Sequence, residues 1–477
     1  MEDTSRYESP LSSRYASKEM LALFSADHRY RTWRKLWVAL AETERELGLD
    51  ISEEQIGELK AHIDDIDYAA IAEKEHQIRH DVMAHVYGYG LCAPKAAGII
   101  HLGATSCYVT DNADIIIYRD ALGLLRAKLL LLADKLARFS YEHRALPTLG
   151  YTHFQPAQLV TVGKRATLWL QDFLSDLDEL DYLVGGMMLL GSKGTTGTQA
   201  SFLSLFEGDH DKVRAADERI AQKMGFAATY PVTGQTYPRK LDSRILNVLS
   251  AVAQSAYRFA NDMRLLQHMR EIEEPFEKDQ VGSSAMAYKR NPMRSERICS
   301  LSRYIMVDAL NAPLTASMQW LERTLDDSAN RRISLPEGFL AADAVLKLCI
   351  SVSDGLVVYP KVIERNVMEY LPFIATENLL MAAVKKGGNR QELHEVIRVH
   401  SMAASYRMKH EDGVCDLLER LRSEPKLGLA PEEFDAVLDP STYIGRCTEQ
   451  VEEYLERFVT PLLEGAVDYS IKADINV

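Results

Sequence analysis

Between Pro238 and Pro275 the chain runs RKLDSRILNVLSAVAQSAYRFANDMRLLQHMREIEE, without a glycine or a proline. Within it Leu241, Ile245, Val248, Val252 and Ser255 recur at three- and four-residue spacing, and Phe259, Met263 and Leu266 continue the same face. That period is helical. At 1.5 Å per residue the stretch can span about 50 Å, roughly three times the ordinary helix of about 11–12 residues. A helix this long carries a broad apolar stripe that it cannot bury against itself. Other long helices, from this chain or from further copies of it, must cover the stripe.

The same pattern recurs in ALGLLRAKLLLLADKLARFSYEHRAL (121–146) and VGKRATLWLQDFLSDLDELDYLV (162–184). A fourth stretch, SERICSLSRYIMVDALNAPLTASMQWLERTL (295–325), contains Pro313, where a kink is expected. Period-two strands are nearly absent; FAATYPVTGQTYPRK (226–240) is the best candidate for a short extended piece. The expected architecture is all-α in three regions. A helical domain covers 1–111, a central long-helix bundle 112–358, and a C-terminal helical domain 359–477, after Pro360 breaks the pattern. No internal repeat or low-complexity tract interrupts this order.

Charge narrows the function classes. Lys and Arg number 55 against 69 Asp and Glu, a formal net charge of −14. A surface that acidic is a poor partner for nucleic acid or for an anionic membrane. No uninterrupted apolar run approaches the roughly 18 residues that a membrane span requires. The cysteines (92, 107, 299, 349, 415 and 447) are scattered, with no C-x-x-C, and read as reduced thiols instead of a zinc site or disulfide frame. The N-terminal segment has no signal-length apolar run, so a cytoplasmic location is the expectation.

Against this acidic background, GSSAMAYKRNPMRSER (282–297) stands out as a basic loop that enters a helix beyond Pro292. Gly282, Ser283 and Ser284 favour exposed amides and hydroxyls, while Lys289, Arg290 and Asn291 would suit a carboxylate. A solvated basic loop would look the same. In YTHFQPAQ (151–158), Thr152 and His153 precede a Pro-interrupted turn, and a histidine there can move a proton near neutrality or serve structure only. QIRHDVMAHVYGYG (77–90) clusters Arg79, His80 and Asp81, with His85 five positions after His80. The i,i+4 histidine pair of a helical metal site is missing, so contact with an anion or a plain surface ion pair are the readings left open. In HLGATSCYVTDNAD (101–114), Thr105, Ser106 and Thr110 are natural caps at a helix start, where free amides attract carboxylate or phosphate. GSKGTTGTQASF (191–202) is Gly- and Thr-rich but lacks the nucleotide-binding patterns. ERTLDDSANRR (322–332) gathers Arg323, Ser328, Arg331 and Arg332 near a helix end, a combination that can hold phosphate.

Taken together, these segments resemble the fumarase/aspartase superfamily and, within it, the adenylosuccinate lyase family. The superfamily loop G-S-S-x-M-P-x-K-x-N is matched by GSSAMAYKRN at 282–291, and narrower matches come from SSRYAS, RHDVMAH, HLGATSCYVTDN, THFQPAQ, KGTTGTQASF, TGQTYPRK and LDDSANRR, in the family's order. One departure is Ala287, where the family loop has proline.

The resemblance implies a homotetramer in which long helices form a shared bundle and each site draws on three subunits. It implies non-hydrolytic β-elimination of fumarate from adenylosuccinate, giving AMP, and from succinylaminoimidazole carboxamide ribotide, giving aminoimidazole carboxamide ribotide, in purine nucleotide biosynthesis. By matched position, Ser283 is the general base and His153 the general acid. Lys289 and Asn291, with Thr105 and Ser106, would stabilise the developing negative charge. Arg14, Tyr15, Arg323, Ser328 and Arg332 would hold the nucleotide, chiefly its phosphate. Arg79, His80, Asp81, Thr152, Gln235 and Arg297 would line the substrate. No metal or organic cofactor is implied, and the expected partners are small-molecule nucleotides, with no nucleic acid and no membrane. The rival readings are another fumarate-releasing lyase of the superfamily, such as one acting on argininosuccinate, and a non-catalytic helical scaffold.

Overall fold

The apolar period seen in the sequence becomes a bundle of long helices: Ser106–Glu142, Val162–Gly185, Lys240–His268 and Asp326–Ser353. The structure is a computed structural model and describes residues 5–277, 280, 285–411 and 413–473. The Lys240–His268 helix packs on Val162–Gly185, on Met293–Asp308 and on Asp326–Ser353, while Ser106–Glu142 packs on Val162–Gly185 and on Ala26–Glu46. Leu241, Ile245, Val252, Phe259, Met263 and Leu266, the stripe that required partners, are all buried.

Two local departures from the sequence reading have physical causes. The stretch 295–325 is not one kinked helix: it forms Met293–Asp308 and Asn311–Ser317, separated by Ala309 and Leu310. Pro313 has no N–H to offer the carbonyl of Ala309, and its ring crowds that carbonyl, so the first helix stops and proline sits in the opening turn of the next. Pro147–Thr152 and Gln155–Thr161 form an antiparallel hairpin where no strands were expected. Its tip, His153 (φ 53°) and Phe154 (φ 57°), is left-handed at both positions, as a two-residue hairpin turn demands. The helix starting at Ser106 runs through residue 111, so the first and central regions are joined inside one continuous helix.

Just beyond the N-terminal turn Leu11–Tyr15, Ser17 is tied to the bundle by buried polar contacts. Lys128 is ion-paired with Asp343, Lys128 Nζ donates to Ser17 Oγ at 3.1 Å, and the Ser17 amide donates to Asp343 at 2.6 Å. One continuous apolar core extends from Leu11 to Val459, and a second, smaller core lies between Leu379 and Phe434. The stretch Pro360–Lys385 is long and apolar enough to cross a membrane by length and composition alone. Its residues Ile363, Val367, Leu371, Leu379 and Leu380 are nonetheless buried in these two cores.

Candidate active site

A cavity of about 410 Å³ opens where three helices begin, at Asp81, Ser106 and Asp326. Its size lies within the ordinary range of small-molecule sites, about 300–1,000 Å³. The first-turn residues Asp81, Val82, Ser106, Asp327 and Ser328 line it. Neither Thr105 nor Leu325, the residues that cap the second and third of these helices, makes a side-chain cap bond. Uncapped helix N-termini carry partial positive charge and unspent N–H donors, which together favour an anion.

The cavity floor is a buried charge lattice. Arg239 bridges Asp111 (Nη1 to Oδ2, 2.9 Å) and Asp327 (Nε to Oδ2, 2.5 Å). Arg331 bridges Asp242 (2.6 Å) and Asp114 (3.1 Å), and the Tyr237 hydroxyl donates to Asp242 at 2.6 Å. Burial lifts Asp114 above the usual carboxylate range, against the opposing pull of Arg331. Four carboxylates thus face two guanidinium groups, so the floor's cations are spoken for and its role is to hold three helices in register. The cations Arg29, Arg79, Arg323 and Arg332 line the rim of the cavity.

Arg79 is left-handed (φ 56°) and turns the chain from the Tyr68–Ile78 helix into Asp81–Cys92. His80 caps the second of these helices: its Nδ1 accepts the Met83 amide at 3.3 Å, and its Nε2 lies 3.4 Å from Ser106 Oγ. Asp81 lies 3.7 Å from Arg332 across the mouth, an exposed and therefore weak pair. Arg323 Nη1 donates to Gln235 Oε1 at 2.6 Å, which attaches Gln235 to the rim.

Seven of the residues expected from the sequence therefore line this cavity: Arg79, His80, Asp81, Ser106, Arg323, Ser328 and Arg332. Thr105 adjoins it as the cap residue of the Ser106 helix. The rest form three other groups. Arg14 and Tyr15 occupy the N-terminal turn, with the Arg297 guanidinium 5.9 Å from the Tyr15 ring. Thr152 and His153 stand exposed at and beside the hairpin tip. Lys289 closes, and Asn291 follows, an exposed turn in which the Lys289 amide donates to the Met286 carbonyl at 3.0 Å. Ser283 lies outside the described residues. The far end of this loop is pinned by buried Glu274, which accepts the Arg294 amide, the Ser295 amide and the Ser295 hydroxyl, each at 2.9 Å.

Sequence reading overlooked the floor residues Asp111, Asp114, Arg239 and Asp242. A signal existed: Asp242 sits between Leu241 and Ile245 on the apolar face of its helix, where a charge needs a partner. Among the described residues no cluster of three or more His, Cys, Asp and Glu forms that could hold a metal ion.

Comparison with known proteins agrees with this fold. A family model described as "Lyase" matches residues 18–307, and one described as "Adenylosuccinate lyase C-terminus" matches residues 372–454. The chain is 54% identical to adenylosuccinate lyase of Saccharomyces cerevisiae over 467 residues, covering 97% of each. It is 53% identical to the Schizosaccharomyces pombe enzyme over 466 residues, again covering 97% of each. In fold it is similar to the 3-carboxy-cis,cis-muconate lactonizing enzyme of Pseudomonas putida (TM-score 0.81, 23% identity, covering 95% of this chain and 99% of that one). The chain belongs to the adenylosuccinate lyase family of the fumarase/aspartase superfamily and is a lyase.

Proposed function

We propose that this chain cleaves adenylosuccinate to AMP and fumarate, and succinylaminoimidazole carboxamide ribotide to aminoimidazole carboxamide ribotide and fumarate, two steps of purine nucleotide biosynthesis. The observation that carries the reading is the convergence of three helix N-termini and the cations Arg79, Arg323 and Arg332 on one cavity, a receptor for a phosphorylated, carboxylate-bearing ligand.

In this reaction a base removes a proton from the carbon next to a carboxylate. The electrons left behind form the new carbon–carbon double bond, the carbon–nitrogen bond breaks, and an acid protonates the departing nitrogen. No water is consumed. Ser283 is the base and His153 the acid in this reading, by their match to the family's loop and THFQPAQ segment. Positioned acid–base groups contribute roughly 10²–10⁴-fold. Donors aimed at the developing negative charge contribute about 10²–10³ each, and Lys289, Asn291, Thr105 and Ser106 fill that role here.

The site is completed by other copies of the chain. Within one subunit, His153, the Met286–Lys289 turn and the cavity belong to separate elements, and the first two are exposed. Val307, Leu310, Leu314, Trp320, Leu321 and Leu325 are exposed apolar residues within one stretch, and Leu321 is 96% exposed. An apolar band of this kind needs a partner surface, and a homotetramer with shared sites supplies it.

The test is fumarate release from adenylosuccinate by the unaltered chain, Ser283→Ala and His153→Ala. Turnover by the first, with both variants reduced by several orders of magnitude while still binding AMP, is the expected result. Turnover that survives in Ser283→Ala would move the base elsewhere. No turnover by folded, assembled protein would overturn the reading.

A further inference from the structure

Cys107 occupies the second position of the Ser106–Glu142 helix, 1% exposed, directly after the Ser106 that lines the cavity. Its sulfur faces two groups of the rim. The Arg323 guanidinium lies against Cys107 Sγ and donates from Nη1 to Gln235 Oε1 at 2.6 Å, and the Cys107 thiol is 3.8 Å from the same Gln235 oxygen. The thiol stays protonated: burial, and then Asp111, push it up to about 12, while Arg323 pulls the other way. It is therefore a neutral wall and not an anion competing for the arginine.

The backbone around Arg323 has few anchors of its own. Leu321 is left-handed (φ 48°), and Glu322, Arg323 and Leu325 are exposed. What holds this segment is its contact with residues 234 and 235. The Gln235 amide donates to the Glu322 carbonyl at 3.0 Å. A side chain on Gly234 would meet that same carbonyl oxygen at 2.3 Å, so only glycine permits the approach. Backbone pairing fixes where Arg323 emerges, and the Cys107–Gln235 pair fixes where its guanidinium points.

We infer that Cys107 is a positioning residue for the proposed substrate: with Gln235 it aims Arg323 at the phosphate of the nucleotide and sets affinity for that group without taking part in the chemistry. An exposed arginine left to itself samples many rotamers, and ordering it at binding costs affinity. A sulfur fixed in the first turn of a 37-residue helix removes much of that freedom beforehand. The inference rests on the nucleotide reading of the cavity, and binding measurements keep the two separable.

The experiment measures Kd for AMP and for adenosine, and steady-state kinetics on adenylosuccinate, in the unaltered chain, Cys107→Ala, Cys107→Ser and Arg323→Ala, and in Cys107→Ala/Arg323→Ala. Cys107→Ala is expected to raise KM and the AMP Kd about five- to twenty-fold, with kcat within about twofold and the adenosine Kd unchanged. Cys107→Ser, which keeps a small acceptor in place, should recover most of the loss. In the Arg323→Ala background the Cys107 substitution should have no further effect, because the group it aims is gone. An equal loss for AMP and adenosine, a loss in kcat alone, an additive double variant, or no change at all would each overturn the inference. Absence of adenylosuccinate turnover by the unaltered chain would instead count against the proposed function, and AMP binding would still decide the role of Cys107. If the unaltered chain binds AMP no better than adenosine, the inference falls as well.

Discussion

The Nδ1 of His80 accepts the backbone amide of Met83 at 3.3 Å, and this single contact decides which ring nitrogen carries the proton. An amide can only donate, so Nδ1 must present its lone pair and Nε2 keeps the hydrogen in the neutral ring. Nε2 is the atom that faces Ser106 at 3.4 Å. In the neutral ring His80 therefore presents an N–H toward Ser106 and the cavity. His80→Asn, which can still cap the helix, should raise KM about tenfold with the fold intact, the value of one hydrogen bond to a charged group. His80→Ala should add about 1 kcal/mol of destabilisation from the lost cap. A loss of 10²–10⁴-fold confined to kcat in His80→Asn would instead mark His80 as the acid.

The floor lattice predicts a different signature. Asp242 is 1% exposed and accepts from both Arg331 and the Tyr237 hydroxyl. Asp242→Asn leaves Arg331, itself buried, without its nearer carboxylate. Breaking a buried pair from one side costs about 3–5 kcal/mol, whereas the exposed Arg332–Asp81 pair is worth about 0–1. Denaturant unfolding should show Asp242→Asn strongly destabilised and Arg332→Gln nearly unchanged. The activity of Arg332→Gln should fall all the same, since its guanidinium lines the cavity.

Two buried groups bend stability against pH in opposite directions. Glu44 is 1% exposed, and burial pushes its carboxyl up to about 8. A carboxyl raised in the folded state contributes stability below its unfolded value near 4.5, and that contribution is lost as pH rises toward and through 8. His85 packs against Tyr30 and Trp33, and burial, then Arg34, push it down to about 4. A histidine depressed in this way costs nothing above about 6.5, and its penalty grows as pH falls from there to 4. Glu44→Gln should flatten the alkaline limb, so that the loss of stability between pH 5 and pH 9 is smaller than in the unaltered chain by about 4 kcal/mol. Apparent unfolding midpoints across that range check it; parallel slopes would refute the assignment.

Ala287 stands where the family loop has proline, and the turn explains why proline fits. The Lys289 amide bonds to the Met286 carbonyl at 3.0 Å, which makes Ala287 the second residue of a four-residue turn, the position where a fixed φ near −65° is favoured. Ala287→Pro should therefore be tolerated and reduce the freedom of the open loop by about 0.4–1 kcal/mol. The expected readout is a two- to fivefold lower KM for adenylosuccinate with kcat preserved; a rise in KM would mean that this turn must rearrange when ligand binds.

What the sequence disclosed follows from which interactions are local. The long helices were legible because one apolar stripe repeats over many turns, as Leu241 through Leu266 does. The cavity's rim was legible because Arg79, His80 and Asp81 are adjacent, and Arg323, Ser328 and Arg332 nearly so. The hairpin was not, since its left-handed tip uses His153 and Phe154 in place of the usual Asn-Gly. Nor was the floor, where Arg239 meets Asp111 across 128 residues and Arg331 meets Asp114 across 217. Such pairs leave only the trace of a charge on an apolar face.

The residues expected to form the site are dispersed over separate elements. His153 is exposed at a hairpin tip, whereas the cavity lies where three helices begin, so the proposed acid and the proposed nucleotide pocket stand on separate elements. If copies of the chain complete each other's sites, inactive His153→Ala and Ser283→Ala chains mixed in one tetramer should restore some sites in which both wild-type residues meet. Statistical mixing places an intact pair in about one site in four when the two residues come from different subunits, and in none when they come from the same one. Co-refolded or co-expressed variants should then regain up to about a quarter of wild-type fumarate release, while each variant alone stays inactive. Recovery well below that level in confirmed mixed tetramers would mean that His153 and Ser283 serve a site within one subunit, and the hairpin would have to reach the cavity of its own chain.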